Sequence, residues 1–170
     1  MENKKSFDEI KKEVIARGGF FVYFYFDITG TDKESIKNLA VSFSGKITTE
    51  KGVRLGITEI EEPIEKDGVF ITALKASLLV ENFYHLVRLT MVHMPIAIEI
   101  EEPLDITLDA GQVQLALLQI SDLCQQFTTH ILTKTLTQEE KKKFEKELIR
   151  KLELGKNLKE KIQKKQEGEK

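Results

Sequence analysis

A chain of 170 residues that is 41% hydrophobic and 32% charged is long enough to bury one core of ordinary size and too apolar to be disordered throughout. No apolar run approaches the ~20 residues of a membrane helix, and Met1-Glu2-Asn3-Lys4-Lys5 lacks the apolar core of a signal peptide, so the expectation is a cytoplasmic protein with no membrane partner. The net charge of −2 hides a split, because residues 18–110 carry eight Lys/Arg against fifteen Asp/Glu and residues 111–170 carry thirteen against nine, which makes an acidic body with a basic tail.

Lysine far outnumbers arginine, and Lys with Glu dominates the charge, a thermophile-like composition. The single cysteine, Cys124, rules out an internal disulfide and sits in an apolar helical pattern, where a thiol behaves as a small hydrophobe.

In chain order, Ser6 with Glu9 reads as a capping box opening a short amphipathic helix that runs to about Ala16 and stops at Gly18-Gly19. Residues 20–28, Phe-Phe-Val-Tyr-Phe-Tyr-Phe-Asp-Ile, are aromatic or β-branched with no charge before Asp27, the composition of a strand in the middle of a sheet. Alternation puts Phe20, Val22, Phe24, Phe26 and Ile28 on one face and Phe21, Tyr23 and Tyr25 on the other. The first row is wholly apolar and expects helices. The second carries two hydroxyls and expects a partly polar neighbour, so Phe21, Tyr23 and Tyr25 are candidate interface residues.

Thr29-Gly30 turns the chain, Thr31 with Glu34 reads as a second capping box, and Ile36, Leu39, Ala40 and Phe43 form the inner face of a helix that Gly45 closes. A second strand runs from Val53 to Pro63, and Asp67-Gly68 is a hairpin turn into a third, largely apolar strand over 69–80. Residues 81–94 read as a helix covered on two sides and stopped by Pro95, and Ile96, Ile98 and Ile100 alternate with Ala97, Glu99 and Glu101 in a fourth strand. The order βαββαβ, with an N-terminal helix before it, predicts an α+β, ferredoxin-like sandwich whose first and third strands are central. The heptapeptides at 59–65 (EIEEPIE) and 99–105 (EIEEPLD) nearly repeat each other at the exits of the two proposed edge strands, where proline and charge discourage further pairing.

Asp109 with Gln112 opens a helix of about 27 residues to Leu136, in which Val113, Leu117, Ile120, Cys124, Phe127 and Ile131 step by four and three alternately, the spacing of a coiled-coil seam. Thr137 with Glu140 starts a further helix with Phe144, Leu148, Ile149 and Leu152 along one side, and the last residues are a charged tail. The expected division is therefore a domain over 1–108 and a helical extension over 109–170.

Chemistry-bearing patterns are sparse. His85, His93 and His130 show neither metal-ligand spacing nor a carboxylate or cysteine partner at helical distance and read as ordinary helix residues, and no Walker, Gly-x-Gly-x-x-Gly, Gly-x-Ser-x-Gly or zinc motif is present, so no metal, cofactor or catalytic group is expected. Asp27, Thr29, Gly30, Thr31 and Ser35, gathered at a strand end and a helix N-terminus, are the candidate pocket for a small anion or polar ligand.

Asp27-Ile28-Thr29-Gly30 after the first strand, together with the order of elements over about residues 20–102, resembles ACT domains, which implies sheets that pair and an amino acid held near that turn; the proline usual in the turn is absent. Aromatic residues on a βαββαβ sheet also look like the RNA-recognition motif. Gly68-Val69-Phe70-Ile71-Thr72 fits that family's third-strand pattern poorly, and an acidic body disfavours phosphate. The sequence therefore predicts a non-enzymatic, self-associating interaction module or scaffold, a dimer first and a protein partner second. The alternatives are an ACT-like small-ligand sensor and nucleic-acid binding through the basic tail.

Overall fold

The computed structural model describes residues 6–135 and, beyond them, 137, 139, 140, 142, 143, 146, 149 and 150. It has four helices, α1 (Phe7–Ala16), α2 (Lys33–Thr48), α3 (Phe83–His93) and α4 (Ala110–Thr135), and five strands, β1 (Phe20–Gly30), β2 (Val53–Ile60), β3 (Ile64–Lys66), β4 (Val69–Val80) and β5 (Ala97–Glu102). The strands form one open antiparallel sheet in the order β2-β4-β1-β5, with β3 paired to the far end of β4. The chain is thus α+β, with the two greasiest strands in the centre and the strands that exit into acidic residues at the edges. Two compact units divide it, Met1–Ser121 and Asp122–Lys170.

β1 pairs with β4 along its whole length, from Phe20 opposite Val80 to Gly30 opposite Phe70. Facing pairs share a side of the sheet, so Phe20, Val22, Phe24 and Phe26 join Val80, Leu78, Ala76 and Leu74 in a single core, with Ile47 of α2 and Leu86 and Leu89 of α3 laid over it. α2 contributes Ile36, Ala40, Phe43 and Ile47, and Leu39, expected inside, points to solvent. The helix runs through Gly45 to Thr48, since no proline or left-handed residue stops it there. Its cap is Asp32, whose carboxylate accepts the Ser35 amide at 2.7 Å, and not Thr31. Two cap patterns overlap by one residue here, and the stronger capping side chain prevails.

The second strand is a broken one. β2 ends at Ile60 and the register against β4 slips by one residue before β3 resumes at Ile64. Thr72, 1% exposed, holds the break by donating its hydroxyl to the Glu61 carbonyl at 2.6 Å. Asp67 and Gly68 both have positive φ, 53° and 77°, which makes the tight β3–β4 turn of the kind Asp-Gly favours. A further irregularity between Val53 and Leu55 puts Val53 against the core, while Leu55 and Ile57 face the other side beside Leu79 and Ser77. α3 buries one face, through Leu86, Leu89 and His93, and leaves Val92 exposed, so among the described residues the two-sided cover expected from its composition is not found. Among the described residues no helix is long and apolar enough to cross a membrane.

Two glycines make opposite demands. Gly52 has φ +91° and a Cβ there would lie 2.2 Å from the His85 ring, whereas Gly45, inside α2, faces open space. Gly52→Ala is expected to lower stability by about 2 kcal/mol or more, through backbone strain and ring displacement, while Gly45→Ala raises it by about 0.5–1 kcal/mol. Urea unfolding of the two variants checks both signs.

Candidate functional site

The open face of the sheet is only partly covered. α1, opened by the reciprocal Ser6–Glu9 capping box, lies over its start, where Phe7 meets the Phe21 ring edge-on at 5.8 Å and Lys11 reaches Glu102 at 2.7 Å. Phe21 is buried by this cover, and Tyr23 and Tyr25 are half-buried. Lys75 on β4 sits 4.1 Å above the Tyr23 ring, and the Tyr25 hydroxyl donates to Glu99 at 3.0 Å, an interaction that raises the phenol's pKa. The aromatic row is therefore tied into its own neighbours, with an ammonium where a stacking base would lie.

The five turn residues do not form one cup. Asp27 continues the open-face row into a groove of about 230 Å³ with Tyr25, Glu59, Glu61, Lys75 and Ile96. Gly30 lies against Ile36, which a Cβ would approach to 2.5 Å. The Ser35 amide is already taken by Asp32, whose carboxyl is held below its usual range by that bond, so a negative charge stands where an incoming anion would sit. Thr29 and Thr31 are exposed.

α4 begins as the sequence implies, with Asp109 accepting the Gln112 amide at 2.8 Å and the Gln112 side chain accepting the Asp109 amide at 3.1 Å. Its orientation is the unexpected feature. In the first unit the covered side holds Ala116, 4% exposed, with half-buried Gln112 and Gln119, and the Gln119 carbonyl oxygen is buried with no hydrogen-bond partner among the described residues. Val113, Leu115, Leu117, Leu118 and Ile120 lie outward, each 39–60% exposed. Val113, Leu117 and Leu118 line a shallow depression of about 460 Å³ with Leu108. In the second unit Phe127 and Ile131 are likewise exposed, and so is Cys124, which the apolar pattern placed inside. Glutamines turned inward and leucines turned outward reverse the usual helix arrangement. Thr137 and Glu140 make the expected reciprocal contacts at 2.9 and 3.5 Å, and Leu136, Phe144, Leu148 and Leu152 lie outside the described residues.

Two histidines do have carboxylate partners. The His93 side chain is 2% exposed, with Nε2 3.4 Å from Glu50 Oε2, and Glu50 also accepts from Arg88 Nη2 at 2.9 Å. His85 Nε2 lies 3.8 Å from Glu81. The i,i+4 spacing of Glu81 and His85 was visible in the sequence; the Glu50–His93 pairing joins distant positions and had no local signal. Arg88 holds Glu50 below the usual carboxylate range, and burial lowers both histidines despite their acidic neighbours. Among the described residues no cluster of three or more His, Cys, Asp or Glu could hold a metal ion.

Residues 21–169 match the model of the MJ0538 family. The chain belongs to the MJ0538 family. The match starts in β1 and runs beyond α4, so the helical region is part of the family's pattern along with the sheet. No curated protein and no solved structure matches the chain.

His85 and His93 set a pH dependence. Burial holds both below the ordinary histidine pKa of about 6.5 that they have when unfolded, so they draw the chain toward the unfolded state as pH falls through that value, because the unfolded form then binds more protons. Thermal unfolding from about pH 7.5 to about pH 5.5 is expected to show a falling Tm, and His93→Phe is expected to flatten that fall. An equal slope in wild type and variant contradicts the assignment.

Proposed function

We propose that this protein is a non-enzymatic, self-associating interaction module, in which a ferredoxin-like βαββαβ layer, carrying β3 as an extra strand, presents α4 to a second copy of the chain. The observation that supports this reading is the exposed apolar surface of α4 set against its glutamine-bearing covered side. Contiguous apolar exposure of this kind marks an interface. The alternating steps of four and three from Val113 to Ile131 suit an extended helical or sheet surface, and the seam carries no charge that a like copy would repel.

An ACT-like small-ligand sensor is the second reading. It draws on the groove lined by Asp27, Glu59, Glu61 and Lys75, whose charges suit a small polar molecule.

Light scattering on the full chain tests self-association. The expected result is a mass above the 19.5 kDa of one chain at micromolar concentration, reduced to one chain by Leu117→Glu with Ile120→Glu and with the far-UV circular dichroism spectrum unchanged, since both side chains are exposed in the single chain. A wild type that stays monomeric at high micromolar concentration contradicts the reading.

A further inference from the structure

The seam of α4 does not end at Ile131. One further step of three reaches Lys134, and one step of three back from Val113 reaches Ala110, so the stripe runs from an alanine at one end of the helix to a lysine at the other. Between them Val113, Leu117, Ile120, Phe127 and Ile131 are 39–60% exposed, and Cys124 is exposed as well. Gln112, Ala116 and Gln119 hold the covered side in the first unit, so the stripe is surface that the described part of the single chain leaves open. Asp122 and Lys134 are the only Asp, Glu, Lys or Arg of the helix. Asp122 lies two positions beyond Ile120, about 200° around the helix, and so stands away from the stripe. Lys134 alone puts one of these charges on it.

We propose that α4 pairs with α4 of a second copy in antiparallel, about a two-fold axis level with residue 122. The inference rests on the self-association reading and adds what the helix meets and in which direction. An axis at residue 122 sets Val113 of one chain against Ile131 of the other, Leu117 against Phe127 and Ile120 against Cys124, so each seam position meets another seam position. Side-chain volumes even out in those layers. The largest of the six, Phe127, faces a leucine, and the smallest, Cys124, faces an isoleucine, whereas a parallel pair would set Phe127 on Phe127 and Cys124 on Cys124. Charge separates the two directions. Parallel helices would bring Lys134 against Lys134 within the seam, where like charges repel. Antiparallel helices place each Lys134 level with Ala110 of the other chain, beside Asp109, the carboxylate that accepts the Gln112 amide at the start of the same helix. From Val113 to Ile131 the seam offers an identical copy no charge to repel it.

Disulfide exchange in the full chain reads the direction. In the antiparallel pair the two Cys124 residues are offset by four positions, about 6 Å along the axis, which on top of the gap between helices exceeds the ~7 Å between Cα atoms that a disulfide can span. Cys124 of one chain and position 120 of the other stand opposite. Wild type, whose one thiol is Cys124, is mixed with an equal amount of a protein carrying Ile120→Cys with Cys124→Ser in a glutathione redox buffer. The expected product is the mixed disulfide dimer, about tenfold or more above either self-linked dimer, because the offset pairs link only under strain. Leu117→Cys and Phe127→Cys, each with Cys124→Ser, make a second opposite pair and are expected to link in the same way. Efficient linking of wild type to itself shows parallel helices and overturns the inference. A dimer by light scattering that links neither pair shows that the copies meet elsewhere and overturns it too. A monomer by light scattering removes the self-association reading itself.

Discussion

Phe24 and Ala76 face each other near the middle of β1 and β4, both without exposed surface, and the rest of the molecule is built outward from that pairing. Its length matters. Because side chains alternate, a slip of one residue would carry Phe20, Val22, Phe24 and Phe26 to the open face and bring Tyr23, Lys75 and Asp27 under the helices. The cost of burying those polar groups fixes the register. β2 and β5 then have one edge each, α2 and α3 have one surface to cover, and the hydroxyl of Thr72 locks the step between β2 and β3.

With the helix-facing side fixed, two deficits remain. Ile98 and Ile100 stay partly exposed beside fully buried Phe24 and Val22, and α4 leaves Leu115, Leu117 and Leu118 exposed. Each is expensive alone, since apolar area left in water forfeits about 25 cal/mol per Å². The open face, by contrast, is settled within the chain through Lys75 over Tyr23, Glu99 on the Tyr25 hydroxyl and α1 over Phe21.

Much of this was legible in the sequence for definite reasons. β1 and β4 announce themselves as central because each is a long run dominated by apolar residues, and β2 and β5 as edges because each exits into acidic residues and a proline. The Ser6–Glu9 and Asp109–Gln112 caps are local chemistry and are found where they were expected. What escaped is non-local or competitive. β3 has three residues and no alternation to detect, Asp32 displaced Thr31 where two cap patterns overlapped, and His93 meets Glu50 only after the sheet has folded. Cys124 shows the limit most clearly, because an apolar seam in sequence does not say whether its cover comes from the same chain or another.

The central claim, that the outward side of α4 is covered by a second copy, is tested most directly by amide hydrogen exchange at two protein concentrations well separated in the micromolar range. The account predicts that amides of β1 and β4 are strongly protected at both concentrations, while those of residues 113–121 become protected only as concentration rises. Exchange in α4 that is the same at both concentrations, or protection of β1 and β4 that itself depends on concentration, would contradict it.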